Sequence, residues 1–267
     1  MIYLRLLGYF FLAALCVQSP PVQAQGISPA LTSHTAAPPT QSLSVLFLGN
    51  SYIFVNDLPA MLVQIASSDL SNRTQLNVRS VTRSGARLSD LWDSGEALRV
   101  LQSQHWDYVI LQEQSLWAVN PSQIADTFEA ATKWNKEITQ QHGRTILFDS
   151  WAREPESPWY SDPQYSGLDM ENASHMQQIF DQRTKELGVK LGASVANIGD
   201  YWAMTEKQVP GLNLFASDGS HPSAAGTYLT ALVFYRALTG SPLNNIHYAP
   251  EGVSSAAAGQ LIAISLR

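Results

Sequence analysis

The sequence predicts an α/β fold in which a parallel sheet is covered by helices on both faces. Short apolar runs alternate with longer amphipathic segments along most of the chain, the pattern of repeated strand-helix units. Two of the runs, VLFL (45–48) and YVIL (108–111), are apolar without a break, which suits strands buried on both sides. The 267 residues, 45% hydrophobic and 14% charged, supply one sizeable core and too little material for two large domains.

Taken in order, the runs SVLFLG ending at Gly49, Leu76 to Val81, Asp107 to Gln112, Arg144 to Asp149 and Val189 to Ile198 are expected as strands. Helical periodicity marks Leu58 to Leu70, Leu88 to Gln102, Ser122 to Gln141, Asn172 to Leu187 and Ser223 to Leu238. No internal repeat is visible.

Residues 1–24 read as a signal peptide: one positive charge at Arg5, an apolar stretch from Leu6 to Val17, and a small-residue end at Val22-Gln23-Ala24. The apolar stretch is too short for an ordinary membrane span. Leu15 is bulky where a lipidation signal at Cys16 needs a small residue, so cleavage after Ala24 is the expectation, with a secreted or periplasmic product. Cleavage there removes Cys16, the only cysteine, and with it any disulfide or thiol nucleophile. Residues 25–42, rich in Pro, Ser, Thr and Ala, read as a flexible linker, which leaves 43–267 as the folded domain. The net charge of -6 offers no extended basic surface for phosphates, so nucleic acid is not an expected partner.

In a parallel α/β sheet the ligand site lies outside the carboxyl ends of the strands, which directs attention to the turns after Leu48, Val81, Leu111 and Phe148. After the first strand, Gly49 permits a tight turn and Ser51 stands just before a helix, where backbone N–H groups are free to stabilise an oxyanion. The tripeptide alone favours the plainer reading, in which Ser51 or Asn56 caps the helix that begins near Leu58. At the far end, SDGSHPSAAG (217–226) puts Asp218 three residues before His221. The carboxylate can orient the imidazole while its other nitrogen faces a serine hydroxyl.

The ordered set of Gly49-Asn50-Ser51, Gly85 in RSGARLSDLW, the DYVILQEQS run and DGSHPSAAG resembles the SGNH/GDSL hydrolase superfamily, in particular its branch with Gly-Asn-Ser in the first block. The resemblance spans Leu43 to Leu238. It implies a three-layer α/β/α sandwich with a flavodoxin-like, five-stranded parallel sheet, and ester hydrolysis without a cofactor or metal. Ser51 would be the nucleophile, His221 the general base and then acid, and Asp218 its orienting partner. The N–H groups of Ser51 and Gly85 would supply two arms of the oxyanion hole. Where the family usually shows Gly-x-Asn-Asp, this chain has Gln112-Glu113-Gln114-Ser115. By register Gln114 falls on the family's Asn position and would donate the third hydrogen bond, with Gln112 as its competitor. Asn50, where many relatives carry Asp, is assigned a structural role, and Glu113 faces structure or solvent.

The aperiodic stretch from Trp151 to Asp169 has the length of a binding loop or lid. Trp151, Trp159, Tyr160 and Tyr165, joined by Trp117, are expected as an apolar wall for substrate or for stacking on sugar rings; the alternative is a loop packed on its own aromatics. Arg83 and Arg87 flank Gly85, within reach of an anionic substrate group. The histidines outside the motif show no ligand-type spacing, so no metal is expected. The sequence reads as an exported serine esterase or deacylase for short acyl esters, acetyl esters of carbohydrate among them. An O-acyltransferase with a saccharide acceptor and a non-catalytic carbohydrate-binding module are the alternatives. The partner is a small-molecule or carbohydrate ester, with no stable membrane span after removal of the signal.

Overall fold

Residues 41–267 are described by the computed structural model of the chain. The expected signal peptide (1–24) and linker residues 25–40 lie outside the described residues. Gln41 and Ser42, expected at the end of the linker, instead open the first strand, β1 (Gln41–Gly49). Their backbone groups are drawn into the ladder with β2 (Thr74–Thr82), in register from Gln41↔Thr74 to Gly49↔Thr82.

β3 (Tyr108–Leu111), β4 (Arg144–Asp149) and β5 (Ser194–Asn197) complete a five-stranded, wholly parallel sheet of order β2-β1-β3-β4-β5. The chain leaves β1 for one neighbour and returns to its other side for β3. That reversal makes the carboxyl ends of β1 and β3 the topological switch point, where such sheets bind ligands.

Alternation along the strands builds two cores. Val45, Phe47, Ile110, Ile146 and Phe148 face one side and pack with residues of α2 (Leu58–Ser68), α7 (Ile198–Gln208), α8 (Ala224–Thr239) and α9 (Ser255–Ser265). Leu46, Leu48, Val109, Leu111 and Leu147 face the other, against α3 (Leu88–Ser94), α4 (Glu96–Gln102), α5 (Pro121–Gln140) and Leu187 of α6 (Ala173–Leu191). Adjacent residues of one strand thus serve opposite layers, which is why the central runs are apolar at every position.

Two elements differ from their expected form, and two helices add to those expected. The helix expected over Leu88 to Gln102 is split by Gly95, whose φ of 68° closes α3 and opens α4. The expected strand from Val189 is four residues long: Val189 to Leu191 end α6, stopped by left-handed Gly192, and Val189 is 78% exposed. α7 and α9 were not expected. α7 starts directly at the end of β5 with no side-chain cap, and α9 is an Ala-rich segment without a sharp apolar stripe. No described helix is long and apolar enough to cross a membrane.

Candidate active site

The turn after β1 is built around close packing. A Cβ on Gly49 would meet Ile53 Cδ1 at 2.6 Å and Gln112 Cβ at 2.9 Å, so only glycine lets the chain turn against β3 there. Asn50 caps α1 (Ser51–Phe54) by accepting from Tyr52 N at 3.2 Å, while its Nδ2 donates to Ala86 O at 3.1 Å and Glu113 O at 3.3 Å. One buried amide thereby joins the turns after β1, β2 and β3. Ser51 occupies the first position of α1, where its N–H has no intrahelical acceptor. The cap of this helix is therefore Asn50, which frees the Ser51 hydroxyl from that duty.

The segment before α8 carries the complementary groups. Asp218 Oδ1 accepts from Ser220 N at 3.0 Å and His221 N at 2.9 Å, and Gly219 takes φ 64° to allow this turn. The turn is fastened from outside as well. Trp151 Nε1 donates to Ser220 O at 2.9 Å, Glu154 N donates to Gly219 O at 3.0 Å, and Tyr52 Oη pairs with Ser220 Oγ at 2.8 Å. The result is a continuous chain: Asp218 Oδ2 to His221 Nδ1 at 2.5 Å, and His221 Nε2 to Ser51 Oγ at 2.8 Å. With Nδ1–H directed to the carboxylate, Nε2 presents its lone pair to the serine hydroxyl. Burial alone would raise the Asp218 carboxyl. Hydrogen bonds from the His221 side chain and from the His221 and Ser220 amides outweigh it and hold the group below the usual carboxylate range.

A cavity of about 350 Å³ opens over Ser51 and His221, lined also by Gly85, Gln114, Ser115, Arg153 and Trp159. Gly85, in the turn after β2, has φ 65°, and nothing stands within 4 Å of where its Cβ would be. The two glutamines have different surroundings. Gln112 is fully buried beneath Gly49, its Oε1 accepting from Asn50 N at 2.8 Å and its Nε2 donating to Glu113 O. Gln114 lines the cavity, its Oε1 accepting from Leu116 N at 2.8 Å, which leaves its amide N–H groups for the cavity. Glu113 faces structure: its carboxyl accepts from Gln114 N at 2.7 Å and Leu88 N at 3.2 Å. Burial, partly offset by those bonds, pushes it up to about 7.

The expected aromatic wall needs correction. Trp151 is buried between Tyr52 (centroids 4.5 Å) and Trp202 (3.9 Å), both stacked. Trp117 is buried with Phe128 and Met176, and Tyr160 spends its hydroxyl on Arg153 O at 2.8 Å. These three aromatics find apolar or hydrogen-bonding partners inside the fold, Tyr165 stacks on Trp159 with centroids 4.1 Å apart, and of the five only Trp159 borders the cavity over Ser51. Arg83 and Arg87 pair with Asp90, and Arg87 also with Asp126, away from that cavity. Sequence reasoning missed Arg153, whose neighbours Tyr52 and Ser115 come from other turns, so no local pattern announced it. A larger cavity of about 620 Å³ beside α6 and α7 contains none of Ser51, Asp218 or His221. Among the described residues no group of three or more His, Cys, Asp or Glu is arranged to hold a metal ion.

Fold and site together define a three-layer α/β protein with a Ser-His-Asp constellation at its switch point. No protein-family model matches the chain, and no curated protein matches it. Solved structures do. A DUF4886 family protein from Bacteroides uniformis aligns with a TM-score of 0.69 at 15% identity, covering 84% of this chain and 93% of that one. A proposed SGNH hydrolase from Slackia heliotrinireducens aligns at 0.58 with 21% identity, covering 73% and 98%. An acetyl xylan esterase from Geobacillus stearothermophilus aligns at 0.56 with 16% identity, covering 78% and 97%. The chain has the fold of the SGNH/GDSL hydrolases.

Proposed function

We propose that this chain is an exported serine esterase or deacylase that hydrolyses short acyl esters, with acetyl esters of carbohydrate as the leading substrates. The observation that carries the reading is the hydrogen-bonded chain from Ser51 through His221 to Asp218, at 2.8 and 2.5 Å, opening on a cavity. In the proposed reaction Ser51 Oγ attacks the ester carbonyl as His221 Nε2 takes its proton, and Asp218 stabilises the imidazolium. The tetrahedral oxyanion is held by the N–H groups of Ser51 and Gly85 and by the Gln114 amide. His221 then returns its proton to the leaving alcohol, and water, activated by the same imidazole, releases the acid.

The cavity of about 350 Å³ sits near the small end of ligand-sized pockets, which favours a short acyl group. An acetyl xylan esterase among the similar structures supports a carbohydrate ester, and the pattern of residues 1–24 supports export. The test is incubation of the purified protein with short p-nitrophenyl esters and with a serine-reactive fluorophosphonate, beside Ser51→Ala. Turnover and labelling confined to the wild type are expected. Either one persisting in Ser51→Ala removes Ser51 from the mechanism, and transfer to an added sugar in preference to water makes the protein a transferase.

A further inference from the structure

Arg153, in the loop after β4, is 4% exposed, and no carboxylate of the described residues lies within 4 Å of its guanidinium. Its Nη1 donates to Tyr52 Oη at 2.7 Å, so the tyrosine proton goes on to Ser220 Oγ; its Nη2 donates to Ser115 Oγ at 3.1 Å. Its Nε–H is buried without any acceptor. The Trp159 ring covers one face of the group, 4.4 Å from Cζ. Two of five N–H donors are thus used, both on neutral hydroxyls, and the charge itself has no counterion. The neighbouring carboxylates do not pair with it: Glu154 lies against Gly219 and forms no ion pair among the described residues, and Asp218 is engaged by His221 and Ser220.

A buried cation without a partner is unfavourable, and arginines held inside proteins are ordinarily paired. This one borders the same cavity as Ser51 and His221, and so do three groups that touch it, Tyr52, Ser115 and Trp159. Building on the esterase reading, we infer that Arg153 is the receptor for a carboxylate on the substrate, so that the preferred esters are anionic. The planar fork of the guanidinium suits a carboxylate, which accepts two parallel N–H bonds. Its fixing by Tyr52, the residue after the proposed nucleophile, ties the anion's position to that of the reacting carbonyl. The carboxylate can belong to the alcohol, as in an acetylated acidic sugar, or to the acyl group, as in the half-ester of a dicarboxylic acid. The chemistry at Arg153 is the same for both.

The test uses matched pairs: 4-acetoxybenzoate against its methyl ester for an anion on the alcohol, and monomethyl succinate against methyl butyrate for an anion on the acyl group. In at least one pair the wild type should favour the anionic member by tenfold or more in kcat/KM, with the preference shrinking as salt is added. Arg153→Gln should erase that preference through KM, and Arg153→Lys should retain part of it. Calorimetry on Ser51→Ala should find 4-acetoxybenzoate or monomethyl succinate bound at least tenfold more tightly than its neutral partner. Equal rates and equal binding within both pairs overturn the inference, as does Arg153→Gln slowing both members by one factor, the mark of a mere prop for Tyr52. If Arg153→Gln does not fold, the wild-type pairs and Arg153→Lys decide. An anionic ester that binds Ser51→Ala but is never cleaved by wild type refutes the esterase reading and leaves the carboxylate site standing; no binding in either pair refutes the site.

Discussion

His221 Nε2 stands 2.8 Å from Ser51 Oγ although the residues are 170 positions apart in sequence. They meet because the turn after β1 and the loop before α8 end at the same edge of the sheet, and Tyr52, Trp151 and Glu154 hold that loop in place. The proposed roles make the pair and its carboxylate act as a unit. Ser51→Ala and His221→Ala should each lower kcat on p-nitrophenyl acetate by about 10⁴-fold or more, with thermal midpoints near wild type. Asp218→Asn should cost on the order of 10³ to 10⁴, because an amide accepting at the same place no longer stabilises the imidazolium. Steady-state kinetics beside thermal melts check all three.

The two glutamines should separate cleanly. Gln114→Ala should reduce kcat by about 10² or more with little change in stability, the loss expected for one oxyanion donor. Gln112→Ala should destabilise the protein by roughly 1–3 kcal/mol, since it leaves the buried Asn50 N–H without its acceptor. Denaturant melts and kinetics on both variants distinguish the roles, and the reverse pattern would move the donor to Gln112.

Stability should depend on pH through Glu113. Its carboxyl, ordinarily near 4.5, is pushed up to about 7 by burial, so the folded state binds this proton more tightly than the unfolded chain. The contribution is present in full below about pH 4.5, declines as pH rises through the interval, and is lost above about 7. Its ceiling is about 3 kcal/mol. Glu113→Gln, neutral throughout, should show a shallower fall in unfolding free energy between pH 5 and 8 than wild type. Parallel slopes would refute the coupling.

Trp151 and Trp159 were expected to share one task and should respond differently. Trp151→Ala empties the stack between Tyr52 and Trp202 and should cost about 3–5 kcal/mol of stability. Trp159→Ala, on the cavity wall, should chiefly raise KM while the melting temperature changes little. Melts and Michaelis kinetics on the two variants test this directly.

The order of strands and helices, the placing of Ser51 at a strand's carboxyl end and the nearness of Asp218 to His221 were legible in the sequence, because each depends on residues close together in the chain. Apolar runs, helical periodicity and a turn glycine act through local backbone preference and solvent, so they can be read without knowing what packs against them. α7 escaped because it follows β5 directly without a side-chain cap, and α9 because, although Ser254 caps it, it has no sharp apolar stripe. The choice between Gln112 and Gln114 for the cavity, the burial of Trp117 and Trp151 and the position of Arg153 were decided only by tertiary structure. Each depends on partners from distant segments: Asn50 above Gln112, Tyr52 and Trp202 around Trp151, Tyr52 and Ser115 on Arg153. A side chain's chemistry is written in its residue type, but whether it is spent inside the fold or left facing a ligand is set by which distant groups the fold brings to it.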